Sequence, residues 1–261
     1  MPVQTNSELT AEDYFYLLPD HWVLHSKDPD SIFTRLHGYY VRRVVEIIKS
    51  SNSKTVLEVG CGDGWASGKL AEAGFDVVGV DWSANAIGYA SILVPKARFY
   101  AMDVRDESFI RKFPDKFDAV ALIEVIEHIP PKDCVESLRA ITVSLKPGGV
   151  FVLTTPSTNL PNTSTLHYRH FTEDVLRSLV AEAGDLDVID IEGYGDMSAE
   201  GVFWRRSRWL DNRYFQIKQL KKILLHDFHR RTKLGPTPFD RCQGFIVTMR
   251  RRPAAAAPTS T

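Results

Sequence analysis

The segment Glu124-Val125-Ile126-Glu127-His128 places two carboxylates and an imidazole within one short stretch. If this stretch is helical, Glu124 and His128 are spaced i, i+4 and Glu124 and Glu127 i, i+3, so all three share a face. Such a set can hold a divalent ion, Mg²⁺, Mn²⁺ or Zn²⁺. Further on, His167-Tyr168-Arg169-His170-Phe171 adds two imidazoles. Glu124, Glu127, His128 and His170 are the expected metal ligands, with His167 the alternative for the fourth. The same residues suit acid–base work, because a hydroxyl gives up its proton to a histidine titrating near neutrality or on coordination to a metal. His128, His170 and Glu127 are therefore the catalytic candidates, and sequence does not choose between the two histidines as base. The bland reading is that Glu124 borders a ligand while Glu127 and His128 are solvated loop residues.

A second constellation precedes it. Val56–Val59 runs into Gly60-Cys61-Gly62-Asp63-Gly64. Glycines at a strand-to-helix turn let the backbone approach a ligand closely, and open α/β sheets bind nucleotide-like ligands at such turns. Asp81 ends the next strand about 20 residues later, where a carboxylate can accept hydrogen bonds from ribose hydroxyls. The loop departs from the dinucleotide pattern, since its sixth position is Trp65, too large for close helix–strand packing. Glu58, two residues before the first glycine, would repel a pyrophosphate but suit a ligand carrying a positive amine.

These residues need a scaffold, and the hydrophobic pattern supplies one. Short apolar runs at Thr55–Val59, Asp76–Val80, Arg98–Met102, Phe117–Ile123 and Val150–Thr155 read as buried strands, and Asp187–Glu192 and Gly244–Met249 supply two more. Helices are expected at Gly64–Ala73, from a Ser83 cap to Leu93, at Lys132–Leu145 before the Lys146-Pro147-Gly148-Gly149 turn, and from a Thr172 cap to Ala183. A further helix is expected around Tyr39–Lys49. Alternation of this kind implies an α/β, doubly wound sheet covered on both faces.

Several ordered motifs then resemble the class I, S-adenosylmethionine-dependent methyltransferases. VLEVGCGDG (Val56–Gly64) looks like their first motif, VVGVDWS (Val77–Ser83) their second, and Ala101-Met102-Asp103-Val104 their third. Phe117–Val120 resembles the fourth strand, and Leu145–Gly149 the turn before the fifth. The resemblance covers residues 54–192, with 244–250 as the last strand. It implies a Rossmann-like, seven-stranded, mostly parallel sheet whose last strand is antiparallel, with N-terminal and inserted helical caps. It also implies that Gly60 and Gly62 contact the methionine end of S-adenosylmethionine beside Glu58, that Asp81 holds the ribose and that Trp82 flanks the adenine. Asp103 would bind the adenine amino group, with Val104 and Ile123 lining the site. The Glu-x-x-Glu-His element is similar to that of the ubiquinone-biosynthesis O-methyltransferases and of the small-RNA 2′-O-methyltransferases, where with a later histidine it binds a metal.

Two regions fall outside the strand–helix rhythm. Residues 1–53 form an N-terminal cap, of which the stretch Tyr14–Tyr40 is rich in Tyr, Phe, Trp and His and is expected to build the acceptor pocket. Residues 193–243 separate the last two strands, and Phe203–Lys233 within them carries an excess of about eight positive charges interleaved with apolar residues. This basic amphipathic insertion is expected to serve as a lid or to meet an anionic membrane surface. Residues 251–261 are a basic, then Pro/Ala/Thr-rich tail, expected to be disordered.

The 261-residue chain has a formal net charge of −1, which gives no global case for nucleic acid. Three unpaired cysteines, with neither an apolar leader nor a transmembrane run, fit a reduced, cytoplasmic protein, peripheral to the membrane at most. The expectation is an O-methyltransferase acting on a small molecule, sugar or lipid-linked glycan. A metal-dependent RNA 2′-O-methyltransferase is the first alternative, and a non-catalytic binding protein of the same fold the second.

Overall fold

The computed structural model describes residues 17–27, 29, 31–196 and 234–253, together with the two-residue strands 211–212 and 215–216. The basic run Phe203–Lys233, apart from those two short strands, and the tail from residue 254 onward lie outside the described residues, as do residues 1–16.

Seven strands form one sheet: β1 (Thr55–Val59), β2 (Asp76–Asp81), β3 (Arg98–Ala101), β4 (Phe117–Ile123), β5 (Leu145–Pro156), β6 (Leu186–Asp196) and β9 (Cys242–Arg251). Their spatial order is β3-β2-β1-β4-β5-β9-β6. All neighbours are parallel except β9, which runs antiparallel to β5 and β6, pairing Leu153 with Val247 and Val247 with Ile191. The short strands β7 (Asp211–Asn212) and β8 (Phe215–Gln216) pair with each other. The order reverses between β1 and β4, so the carboxyl ends of those two strands face the crevice where such sheets take ligands.

Among the described residues, seven helices surround the sheet: α1 (Asp20–Lys27), α2 (Ile32–Ser50), α3 (Trp65–Glu72), α4 (Ala84–Leu93), α5 (Glu107–Lys112), α6 (Cys134–Ser144) and α7 (Glu173–Ala183). The expected caps form, with Ser83 Oγ accepting from Ala86 N at 3.3 Å and Thr172 Oγ1 from Val175 N at 3.3 Å. Helix α2 starts earlier than its apolar pattern suggests, because Ser31 Oγ accepts the Thr34 N–H at 3.1 Å. It presents Tyr40, Val41, Val44 and Ile48 to the sheet face built by Val56, Ala121, Val152 and Ile246. Full burial of side chains the size of Val44 and Ile48 contributes roughly 1.5–3 kcal/mol each. The opposite face packs Leu57, Val120, Leu122 and Phe151 against α6 and α7. Tyr39 OH and Arg43 both bond Glu192, at 2.7 and 2.8 Å, tying α2 to β6.

Two expectations about elements are corrected. The Lys146–Gly149 segment is not a turn before the fifth strand but lies within β5, which starts at Leu145. Gly148 at φ +79° and a register shift opposite Phe117 and Ala119 absorb the irregularity. The Glu124–His128 stretch is not a helix carrying three ligands on one face. Glu124 has left-handed backbone at φ +53°, and only Ile126–His128 form a 3₁₀ turn.

Candidate active site

A cavity of about 360 Å³ opens at the carboxyl ends of β1, β2 and β4. The glycine loop forms one wall. Gly60 has φ +69°, and a Cβ there would collide with the Val125 side chain, so the loop lies directly against the turn after β4. Asp81 holds the loop in place, accepting the Gly62 N–H at 2.9 Å on Oδ2 and the Ser83 N–H at 2.9 Å on Oδ1. Glu58 is buried beneath and accepts a hydrogen bond from Ser67 Oγ. Burial pushes its carboxyl up to about 8; the Ser67 bond opposes this, while the charges of Asp63 and Asp81 add to it. A cationic ligand would relieve that crowding of acids.

Of the expected cofactor residues, Glu58, Gly60, Gly62, Asp81, Trp82 and Ile123 line the cavity. Asp103 and Val104 do not. The Asp103 carboxylate is taken by Arg105, whose Nε and Nη2 lie at 3.1 and 2.7 Å and hold its pKa below the usual value. Val104 is packed in the core cluster under α5 and α6.

Sequence reasoning did not single out Asp63. It is buried, accepting the His21 backbone N–H at 2.8 Å and the Trp65 N–H at 3.2 Å, with His21 Nδ1 also 3.2 Å away. Trp22 Nε1 donates to the Asp63 carbonyl at 3.0 Å. Helix α1 is thereby fastened to the cofactor loop, and His21, Phe33, His37 and Tyr40 from the aromatic N-terminal stretch line the cavity. His25 stacks on Trp65 with centroids 3.8 Å apart and meets His37 Nδ1 through its Nε2 at 2.9 Å. The abundance of His and aromatics in this stretch was the only signal the sequence offered.

The opposite wall carries the ionisable cluster. Ligand atoms of Glu127, His128 and His167 all lie within 4.8 Å of one another. Two expected ligands fall outside this group. Glu124 lines the cavity but is not part of the group, and its Oε1 accepts the Tyr194 hydroxyl at 3.0 Å. His170 sits behind His167, its Nε2 3.0 Å from His167 Nδ1 and its Nδ1 2.8 Å from the Leu160 carbonyl. A carbonyl can only accept, so neutral His170 carries its proton on Nδ1 and accepts from His167 Nδ1–H. That leaves His167 Nε2 as the atom able to ligate, oriented by a second imidazole behind it.

Glu127 is fully buried. Thr155 Oγ1 donates to its Oε2 at 3.1 Å, while Oε1 has no partner. Burial, reinforced by the charge of Glu124, raises its pKa well above the ordinary range. Burial likewise lifts Glu124 to about 7, with hydrogen bonds from Thr154 and Tyr194 opposing it. His128 is lowered by burial, and His167 is lowered to about 4 by burial and then by the neighbouring His128 and His170. An unsatisfied buried carboxylate oxygen beside two neutral imidazoles is an arrangement a divalent cation would complete.

Fold and site together define an α/β protein whose glycine-loop crevice, lined by the buried carboxylates Glu58 and Asp81, opens beside a set of ionisable groups. Residues 33–223 match the methyltransferase domain family, and the chain belongs to that family, within the class I S-adenosylmethionine-dependent group. Among curated relatives, the ubiquinone biosynthesis O-methyltransferase of Dechloromonas aromatica is 32% identical over 158 residues, covering 59% of this chain and 66% of that protein. The same-named protein of Aeromonas salmonicida is 30% identical, covering 59% and 65%. The chain thus spans a little under two thirds of the length of these relatives. Among solved structures, an S-adenosylmethionine-dependent methyltransferase from Archaeoglobus fulgidus superposes with a TM-score of 0.57 at 17% identity, covering 83% of this chain and 94% of that one. The 1,6-didemethyltoxoflavin-N1-methyltransferase of Burkholderia thailandensis, solved with bound 1,6-didemethyltoxoflavin and S-adenosylhomocysteine, gives 0.55 at 19%, covering 96% of this chain and 94% of that one. These likenesses show the fold.

Proposed function

We propose that this chain transfers the methyl group of S-adenosylmethionine to a hydroxyl oxygen of a small molecule, sugar or lipid-linked glycan. The observation that carries the reading is the proximity of Glu127, His128 and His167, with one carboxylate oxygen unpaired, in the cavity that the glycine loop also lines. The names of the curated relatives support oxygen as the acceptor atom. Glu58 faces the cofactor's ammonium, Asp81 its ribose hydroxyls and Trp82 its adenine. Methyl transfer is an in-line displacement, so holding acceptor and methyl at contact distance supplies much of the acceleration. The acceptor oxygen forms its bond to carbon as the carbon–sulfur pair returns to sulfur, and the hydroxyl proton must leave. In the metal-free site His128, its pKa lowered by burial, accepts it. His170 acts through His167 by fixing that ring's tautomer, and is a positioning residue here.

Glu127, His128 and His167 have the donor set for a divalent ion, which when bound would lower the pKa of an acceptor hydroxyl. A panel of hydroxyl acceptors incubated with methyl-labelled S-adenosylmethionine, with chelator or with added Mg²⁺, Mn²⁺ or Zn²⁺, tests the proposal. Label transferred to oxygen, and lost in Glu127→Gln, is the expected result. Transfer only to nitrogen or carbon would sink it.

A further inference from the structure

Glu124 is left over by the reading above. It lies outside the Glu127–His128–His167 group, yet it lines the same cavity. Its backbone sits at φ +53°, where side chains with a Cβ are strained; the other two such residues described, Asn52 and Asp115, are of types that tolerate the conformation. Such strain persists only where the surroundings impose it. Here the Glu124 N–H is held by the Thr154 carbonyl and Oγ1, both at 3.1 Å, and the carboxylate by Tyr194 OH at 3.0 Å. Tyr194 is itself buried and packs on Tyr40 with centroids 5.2 Å apart. The fold therefore braces a carboxylate in the cavity wall from β5, β6 and α2.

That place is defined by the neighbouring residue. Val125 touches Gly60, the first residue of the loop expected to meet the cofactor's methionine end. The cofactor carries two positive charges, an ammonium and a sulfonium. Glu58, beneath the loop, suits the first. We propose that Glu124 is the counter-charge for the sulfonium, and that it makes the site prefer the methylated cofactor over its demethylated product. When the methyl leaves with its positive charge, sulfur becomes neutral and the attraction to Glu124 ends, while the ammonium's partner is unaffected. Stabilising the sulfonium alone would slow transfer, so the benefit falls on exchange of product for fresh cofactor.

The inference rests on the S-adenosylmethionine reading and needs no identified acceptor. Calorimetry of the full chain with S-adenosylhomocysteine and with sinefungin, which carries a cationic amine where the sulfonium methyl sits, separates the two charges. Wild type is expected to bind sinefungin about tenfold tighter, as one extra ion pair in a partly screened site allows. Glu124→Gln, which can still accept from Tyr194, should bring that preference close to unity while leaving S-adenosylhomocysteine within about twofold of wild type. Glu58→Gln should weaken both ligands alike. A preference unchanged in Glu124→Gln, or equal weakening of both ligands by it, overturns the proposal. Absence of binding by either ligand to wild type overturns the cofactor reading beneath it, a separate result. Should Glu124→Gln fail to fold, Tyr194→Phe, which removes only the bracing hydroxyl, should reduce the preference, and an unchanged ratio there also overturns it.

Discussion

At the scale of single residues, this site is a problem in placing carboxylates without mutual repulsion. Asp81 meets it with two backbone N–H groups, at 2.9 Å each. If it also takes the ribose, Asp81→Asn should weaken S-adenosylhomocysteine roughly 10- to 100-fold through lost charge-assisted bonds; calorimetry with unchanged affinity would remove it from the cofactor site. Glu58 has no such relief, and burial lifts its pKa to about 8. Its native pKa exceeds that of the unfolded chain, so the folded state binds the extra proton between those values. The associated stability is complete below the unfolded value near 4.5 and is lost as pH rises through about 8. The melting temperature of the ligand-free protein should therefore decline between pH 5 and 8, and Glu58→Gln should flatten that slope. An identical slope in the variant would show that Glu58 ionises normally.

At the scale of elements, α1 is the piece with the weakest conventional support. None of its residues is buried, and its described polar ties to the body run to Asp63 and, through His25, to His37. Asp63→Ala should raise amide exchange across residues 20–27 by tenfold or more, the loss of about two charge-assisted bonds, and leave α2 unchanged. Equal protection in the variant would mean that α1 is held by packing. This element also marks where the sequence stops being legible. Strands buried on both faces, such as Phe117–Ile123, announce themselves by composition, and helices capped by Ser83 and Thr172 by their first residues. Helix α1 buries none of its residues, and one of its partners is a carboxylate 42 positions away. The metal-type donors were legible as residue types but not as a set. Spacing argued for Glu124 as a ligand, whereas a hydroxyl 70 positions away, on Tyr194, engages one of its oxygens. Likewise Asp103 stands where the resemblance implies an adenine-binding acid, and Arg105, two residues on, pairs with it outside the cavity lining.

At the scale of the whole molecule, the sheet separates what each face must do. The side bearing α6 and α7 is a continuous apolar core. The side bearing α2 ends its core at Tyr40, Trp65 and Ile123, which also line the cavity. Ligand contacts therefore fall on side chains that already carry packing, and binding should register as global stability. At 100 times its Kd, S-adenosylhomocysteine should stabilise by about 2.7 kcal/mol, a rise in Tm of roughly 5–10 °C for a chain of this size. The donor group Glu127–His128–His167 lies on the opposite wall of the cavity, so a metal should add its own increment. Glu127→Gln should abolish the rise produced by Mn²⁺ and preserve the rise produced by S-adenosylhomocysteine, as measured by thermal denaturation with each ligand alone and with both. Loss of both increments in that variant would mean that the two walls form one site. Loss of neither would exclude Glu127 as a ligand and leave its unpaired buried oxygen to another partner. Because binding free energies couple reciprocally, the combined rise also reports on the wall between them. A sum equal to its parts is expected, because S-adenosylhomocysteine carries no sulfonium charge to oppose the ion and Glu124 lies outside the Glu127–His128–His167 group.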